Sequence, residues 1–383
     1  DCSSRGLGDV YKRQHLCFGQ SALMFSGSGT FLFFHVGVLK ALWEQHLIPD
    51  VISGSSGGAL IAAVAGTRKP EELGEIFEPE FLEFEEDIKS ILRNLSPGKK
   101  RNLRKNDLIK IIEKIIPDVT FEEAYQISGL KINISVAPYE THQKSRLLNA
   151  IASPNVMLRE AVLASCCIPG VFPPVSLAAR DVKGNRVPYL PSRKWVDGSL
   201  SDDLPMKRLA RLYGVNHFIV SQTNPLALPF LSAEKGDKGV VSTISETALK
   251  TMKDWGLAAS HLIQRPLSSD SYLSKLINGY ISVVSQTYTG DINLLPSKRF
   301  LSPTEILTAH TAEEVLELIN DGQRATWPKI ERIRIQTHIS RTLNHLIEEL
   351  DERVINGGRR AAHPRRQVTN KKFELVATKK SAN

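Results

Sequence analysis

Residues 50–66 read DVISGSSGGALIAAVAG. Apolar residues run into Gly54-Ser55-Ser56-Gly57-Gly58, and small or apolar helix formers follow at once. The spacing predicts a strand over 50–54, a tight turn, and a helix over 58–66 closed by Gly66. A similar unit lies just upstream. SALMFSG (21–27) reads as a buried strand, Gly27-Ser28-Gly29 as a turn, and TFLFFHVGVLKALWEQ (30–45) as a helix that ends before Pro49. Two strand–glycine turn–helix units in succession predict an α/β chain with a mainly parallel sheet and covering helices.

Downstream, residues 70–128 read as a helical, variable insertion. Leu108, Ile111, Ile112, Ile115 and Ile116 fall on one helical face, behind the basic cluster Lys99, Lys100, Arg101, Arg104 and Lys105. Such a helix either faces the core or lies on a membrane or lipid-droplet surface. KINISVAPYE (131–140) predicts a strand, VMLREAVLASCC (156–167) a helix, and KWVDGSLSDDLP (194–205) a short strand entering a loop. HFIVSQTNP (217–225) and SQTYTGDINLLP (285–296) predict further strands, 244–265 a helix, and 231–243 a long loop. Two helices close the chain from about 311, and no internal repeat occurs.

The bulk composition is that of an ordinary globule, with 42% apolar and 23% charged residues in 383. The net charge of +8 is not spread evenly. The segment from Gly357 onward holds eight Lys/Arg and one Glu, while the body between residues 15 and 356 is neutral. A basic tail over 351–383 is therefore expected to be solvated and disordered, and nucleic-acid binding is not expected. No apolar run reaches the roughly 18 residues of a membrane span. Four cysteines, at 2, 17, 166 and 167, lack zinc spacing, and an adjacent pair makes a poor disulfide framework. A reducing, cytoplasmic compartment fits that usage, with peripheral contact at a membrane or droplet left open. Residues 1–14 show no hydrophobic pattern and read as a cloning or sequence-assembly remnant, with native sequence upstream expected to be missing. The domain proper is expected over 15–350.

A serine between glycines at a strand–helix joint has a mechanical meaning. Gly54 and Gly58 remove Cβ atoms that would collide in a tight turn, and Ser56 is presented at a helix N-terminus that favours negative charge. Serine needs a base to become a nucleophile. Gly27, Ser28 and Gly29 could turn backbone N–H groups toward an oxyanion, or toward a nucleotide phosphate. The third glycine of a dinucleotide loop is absent, Leu32 standing in its place. For the base, Ser56…Asp197…His217 or His261 follows the order of a hydrolase triad. His217 begins a strand, however, and His261 lies within a predicted helix. Asp197, after Trp195-Val196 and before a Gly-Ser turn, could instead serve as base directly.

SGSGTFLFFHVGVLKAL (26–42), GSSGGALIAA (54–63), ASCCIPGVFPPV (164–175) and DGSLSDDLP (197–205) occur in the order found in one family. The chain resembles the patatin-like lipid acyl hydrolases from about Ser21 to His345. VSQTNP (220–225) and YTGDINLLP (288–296) are similar to the branch that contains triacylglycerol lipases. The resemblance implies a three-layer α/β/α fold with a mainly parallel sheet and helical insertions. It implies Ser56 as nucleophile, Asp197 as base without histidine, Gly27, Ser28 and Gly29 as the oxyanion turn, and Gly54 and Gly58 as the elbow. It implies a lipid substrate, triacylglycerol first and phospholipid next, with neither metal nor organic cofactor. The chain departs from the family's turn at three positions: Ser28 replaces a glycine, Phe31 a basic residue and Leu32 a glycine. Losing the charge at 31 favours an apolar substrate. Acyl transfer to a lipid alcohol, and a non-catalytic lipid-binding or scaffold protein that keeps the fold, stay open beside hydrolysis. Phe31–Phe34, Ile168–Phe172 and the 106–116 helix are candidate linings for a lipid opening.

Overall fold

The structure is a computed structural model that describes residues 2–77, 105–140, 143–169, 172–224, 227–228, 231, 289–297 and 312–355. Its centre is the unit read first in the sequence. Strand β1 (Gln20–Phe25) leads through a 3-10 turn (Gly29–Phe31) into α2 (Leu32–Glu44). Strand β2 (Val51–Gly54) leads through Ser55 and Ser56 into α3 (Gly57–Ala65). Both turns follow the carboxyl ends of neighbouring parallel strands, with Phe25 opposite Gly54.

The other strands build outward from this pair. Strands β3 (Lys131–Pro138), β4 (Arg146–Asn149), β8 (Val215–Ser221) and β9 (Ile292–Leu294) complete the order β4-β3-β2-β1-β8-β9. The pairings β1–β2, β2–β3, β1–β8 and β8–β9 are parallel, and β3–β4 is antiparallel. The sheet thus grows in both directions from β1. That switch leaves a crevice at the carboxyl ends of β1 and β8, where open α/β sheets place their ligands. Strand β7 (Trp195–Asp197) pairs antiparallel with β3 on the side that β2 leaves free, with Asp197 opposite Val136. Asp197 is thereby brought to the same end of the sheet as Ser56.

Alternate residues of each strand serve opposite faces. Leu23, Phe25 and Ile52 join a large core with α2, α3, α4 (Lys105–Ile115), α6 (Leu158–Ser165), α9 (Ala312–Thr326) and α10 (Ile330–Ile355). Ala22, Met24 and Val51 join a smaller core with Leu209 of α8 (Met206–Tyr213). Helices therefore cover both faces, as expected for a parallel sheet. The isoleucines of α4 decide between its two readings: Ile111, Ile112, Ile115 and Ile116 are all buried against the core, so this face is not offered to a membrane. Residues 99–104 of its basic neighbour lie outside the described residues.

Some elements depart from expectation. Residues expected to stand outside the fold form α1 (Cys2–Phe18), which lies along α10 and pairs Lys12 with Asp351 at 2.8 Å. Helix α10 continues to Ile355, past the expected domain limit at 350. The loop after Asp197 is instead a short helix, α7 (Ser199–Asp202), which begins where the Asp197 carboxyl accepts the Ser199 amide. Strand β4, the hairpin β5 (Leu177–Arg180) and β6 (Arg186–Tyr189), and helix α5 (Phe121–Ser128) with its Thr120–Glu123 capping box supply further detail. The predicted helix 244–265 and the tail from Gly357 lie outside the described residues. Among the described residues, no helix is long and apolar enough to cross a membrane.

Helices α2 and α9 cross at Gly37 and Gly322, close enough that a Cβ at 322 would collide with the Phe34 carbonyl oxygen. We expect Gly322→Ala to shift the urea midpoint down by an amount worth about 1–3 kcal/mol, although alanine is the better helix former. An unchanged or raised midpoint would show that the two backbones can part without penalty.

Candidate active site

Ser56 has φ 50° and ψ −124°, a backbone conformation rare outside glycine. Holding it there costs roughly 1–3 kcal/mol, which the surroundings must offset. Gly58 N and Ala59 N close the turn onto the carbonyl oxygens of Ser55 and Ser56 at 2.8 and 2.9 Å. The Ser56 amide donates to Ser165 Oγ at 2.9 Å, and that hydroxyl donates to the Ser135 carbonyl at 2.8 Å. Gly54 and Gly58 sit where they were expected and for the expected reason. A Cβ at 54 would strike the Gly58 carbonyl, and one at 58 would strike the Phe25 carbonyl.

The Ser56 hydroxyl lies near the Asp197 carboxyl and favours its charged form. Both residues are buried, at 6% and 2% exposure. Asp197 accepts the Ser199 amide at 2.8 Å and the Ser199 side chain, and its own amide donates to the Cys167 carbonyl at 3.0 Å. Burial pushes its pKa up to about 7, against the opposing pull of these hydrogen bonds. Neighbouring Cys166, its Sγ 3.4 Å from the Ser56 carbonyl oxygen, has its thiol pushed well up by burial and by the Asp197 charge. It is held as a neutral thiol rather than a second nucleophile.

The glycine-rich turn is more divided in its duties than the sequence implied. The Gly27 amide donates to Asp203 Oδ1 at 2.7 Å, so it is committed to a carboxylate and is not free for an oxyanion. The amides of Ser28, Gly29 and Gly57 donate to no described protein group. Gly29 takes φ 53°, and the Ser28 hydroxyl lies against the Gly57 Cα, where no Cβ could fit. Serine in place of glycine at 28 is therefore accommodated by the glycine at 57. Phe31 and Leu32 are both buried, Leu32 in the large core.

Asp203 is the residue that sequence reasoning missed. Its carboxyl accepts the Gly27 amide, the Ser55 hydroxyl and Asn224 Nδ2, the last at 2.9 Å. One side chain thus ties the β1 turn, the elbow and the segment after β8 together. Ser165 and Asn224 were quoted within motifs but had no role. The available signal was their place in ASCCIPG, where a serine interrupts a largely apolar run, and in VSQTNP, where four polar residues follow an apolar strand.

The histidines fall elsewhere. His217 pairs with Ser21 near the start of β8, the opposite end of the sheet from Ser56. His261 lies outside the described residues. His35, on α2, is fully buried: Nε2 lies 3.0 Å from the Ser26 carbonyl and Nδ1 2.7 Å from Ser221 Oγ. A carbonyl can only accept, so Nε2 carries the proton and Nδ1 accepts from Ser221. Burial pushes the His35 pKa down to about 3. The ring is a neutral brace across the carboxyl ends of β1 and β8. Among the described residues no cluster of His, Cys, Asp and Glu could hold a metal ion.

With this geometry established, comparison with known proteins is decisive. The patatin-like phospholipase family profile matches residues 23–210, which span both turns, Ser165, Asp197 and Asp203. The chain is 36% identical over 338 residues to triacylglycerol lipase 4 of Saccharomyces cerevisiae, covering 82% of this chain and 37% of that protein. It is 32% identical over 334 residues to triacylglycerol lipase ptl3 of Schizosaccharomyces pombe, covering 84% and 68%. This chain belongs to the patatin-like phospholipase family. It spans well under two thirds of some relatives, 44% of triacylglycerol lipase SDP1L of Arabidopsis thaliana being a further case. Among solved structures, VipD from Legionella pneumophila matches with 13% identity and a TM-score of 0.40 over 82% of this chain and 67% of that one.

Two stability outcomes follow for this patatin-like domain. Asp203→Ala leaves three buried donors unpaired and should lower stability by roughly 3 kcal/mol or more, with Asp203→Asn milder, in urea unfolding. A midpoint equal to wild type would remove Asp203 as the tie. His35 acts through pH. Its folded pKa lies below its unfolded value, so the native state binds fewer protons between about 6.5 and 3, and stability falls as pH falls through that window. Asp197 acts the other way, because its pKa is raised and protonation favours the native state as pH falls from about 7. The difference between wild type and His35→Gln therefore reads His35 alone. We expect wild type to lose more stability than His35→Gln between pH 6.5 and 4, by on the order of 3 kcal/mol. Parallel curves would refute a neutral buried ring.

Proposed function

We propose that this domain is a serine lipid acyl hydrolase. Ser56 Oγ attacks the ester carbonyl while Asp197 takes its proton. The amides of Ser28, Gly29 and Gly57 supply the oxyanion donors, each worth roughly 3–4 kcal/mol in such sites. Asp197 then gives the proton to the departing glyceride oxygen, leaving an acyl ester on Ser56. Water attacks this ester, Asp197 takes a proton from the water, and the fatty acid leaves as the proton returns to Ser56.

The observation that carries the reading is the buried Ser56 beside the buried Asp197, the serine held in a strained turn at the carboxyl end of β2. A carboxyl with pKa near 7 is a far better base than an exposed aspartate, whose model value is about 3.9. Relatives named triacylglycerol lipases support a neutral glyceride as substrate, with phospholipid second. The uncharged Phe31 agrees with that order. Peripheral contact with the lipid surface that holds the substrate completes the reading.

The test is hydrolysis of a short-chain nitrophenyl ester and of emulsified triacylglycerol. Ser56→Ala should lose up to ~10⁶ in kcat and Asp197→Asn ~10⁴, while His217→Ala keeps wild-type activity. Because the carboxylate is the active form, kcat/KM should rise with pH, tenfold per unit below about 7, and level off above it. Equal turnover by wild type and Ser56→Ala would end the proposal, and a rate that falls through pH 7 would end Asp197's part in it.

A further inference from the structure

Outside the Ser56–Asp197 pair, one concave surface combines fixed positive charge with exposed apolar side chains. A cavity of about 350 Å³ lies between β4 and α8, lined by Ser145, Arg146, Leu147, Arg208, Arg211 and Leu212 among others. Three arginines line it. Arg208 is held by Asp202, at 3.3 Å, and by Ser145 Oγ, at 2.9 Å. The Arg146 guanidinium lies over the Trp195 ring, 5.8 Å from its centroid. Arg211 makes no hydrogen bond or ion pair with any described residue. Among the described residues Asp202 is ion-paired with Arg208 alone of the three, so the groove carries surplus positive charge.

The rim differs in kind. Leu212 is 38% exposed, and Ile151, beside the cavity wall at Ala152, is 60% exposed. Exposed aliphatic side chains next to convergent arginines match an amphiphile with an anionic head, since guanidinium forks fit phosphate oxygens. The position matters too. Arg146 pairs with Val136 on one side of β3, and Asp197 pairs with Val136 on the other. The groove is therefore about two strand spacings, roughly 10 Å, from the Asp197 backbone.

We propose that this groove binds the phosphate head of an anionic glycerophospholipid at a lipid surface, with Leu212 and Ile151 entering the interface. It does not depend on the hydrolase reading, because it would bind whether or not Ser56 reacts.

The experiment is sedimentation of the full chain with phosphatidylcholine vesicles, with and without phosphatidic acid. Binding should require phosphatidic acid. Each arginine near an anionic surface is worth about 1 kcal/mol, so R146Q/R208Q/R211Q should bind on the order of 100-fold more weakly. Arg211→Gln alone, which breaks no contact in the fold, should bind about fivefold more weakly. The triple change Arg13, Lys183 and Arg332→Gln removes the same charge from exposed positions elsewhere and should bind like wild type. Equal losses in the two triple variants would show diffuse attraction and overturn the site, as would wild-type binding by Arg211→Gln. Calorimetric titration with inorganic phosphate separates the sources. Arg211-dependent phosphate binding with vesicle binding unaffected would make this a soluble-phosphate site and overturn the lipid assignment.

Discussion

The left-handed backbone of Ser56 is the constraint on which the rest of this structure depends. A side chain at φ 50° crowds its own backbone, and the turn survives only because its neighbours leave room and make bonds. Gly54, Gly57 and Gly58 leave the room. Ser165, reaching across from α6, takes the Ser56 amide, and Asp203 takes the Ser55 hydroxyl. The strain is useful because it lifts the hydroxyl out of the strand–helix joint toward a carboxyl on a strand of opposite direction.

Three buried titratable groups surround this turn, and the contrast between them is instructive. Asp197 and Asp203 are both pushed up by burial, yet their partners differ. Asp203 accepts from three separate chain segments, so it acts as a knot. Asp197 lies near the hydroxyl it would activate, and its bonds to Ser199 keep it oriented. His35 is pushed down and stays neutral, bracing the ends of two strands. No imidazole of the described residues lies between the aspartate and the serine, and the nearby His35 ring braces two strand ends instead.

The sheet's topology links this local chemistry to the larger surface. Because the chain winds both ways from β1, the glycine turns after β1 and β2 open at one end. Strand β7 fills the side of β3 beyond the end of β2, and β4 covers the other side. That arrangement sets the arginine groove of β4 and α8 close to Asp197 while keeping it separate from Ser56.

Much was legible in the one-dimensional pattern. The alternation of apolar strands, glycine turns and apolar helices determined a parallel α/β sheet, because strand and helix periods are local properties. Glycines at 54 and 58 around Ser56 revealed an elbow, because only a residue without Cβ fits there. Helix α1, the hairpin β5–β6 and the use of Asp203 were not legible. Residues 2–18 lack a clear stripe of their own and are ordered along a partner more than 300 residues away. Asp203 and Gly27 are 176 residues apart, and nothing in either segment says that the carboxyl of one will take the amide of the other. Which amides remain available, which aspartate ties and which faces the serine, and whether the isoleucines of α4 turn inward were decided by tertiary packing. The reason is physical: burial and hydrogen-bond partners across the chain exist only once distant segments share one space.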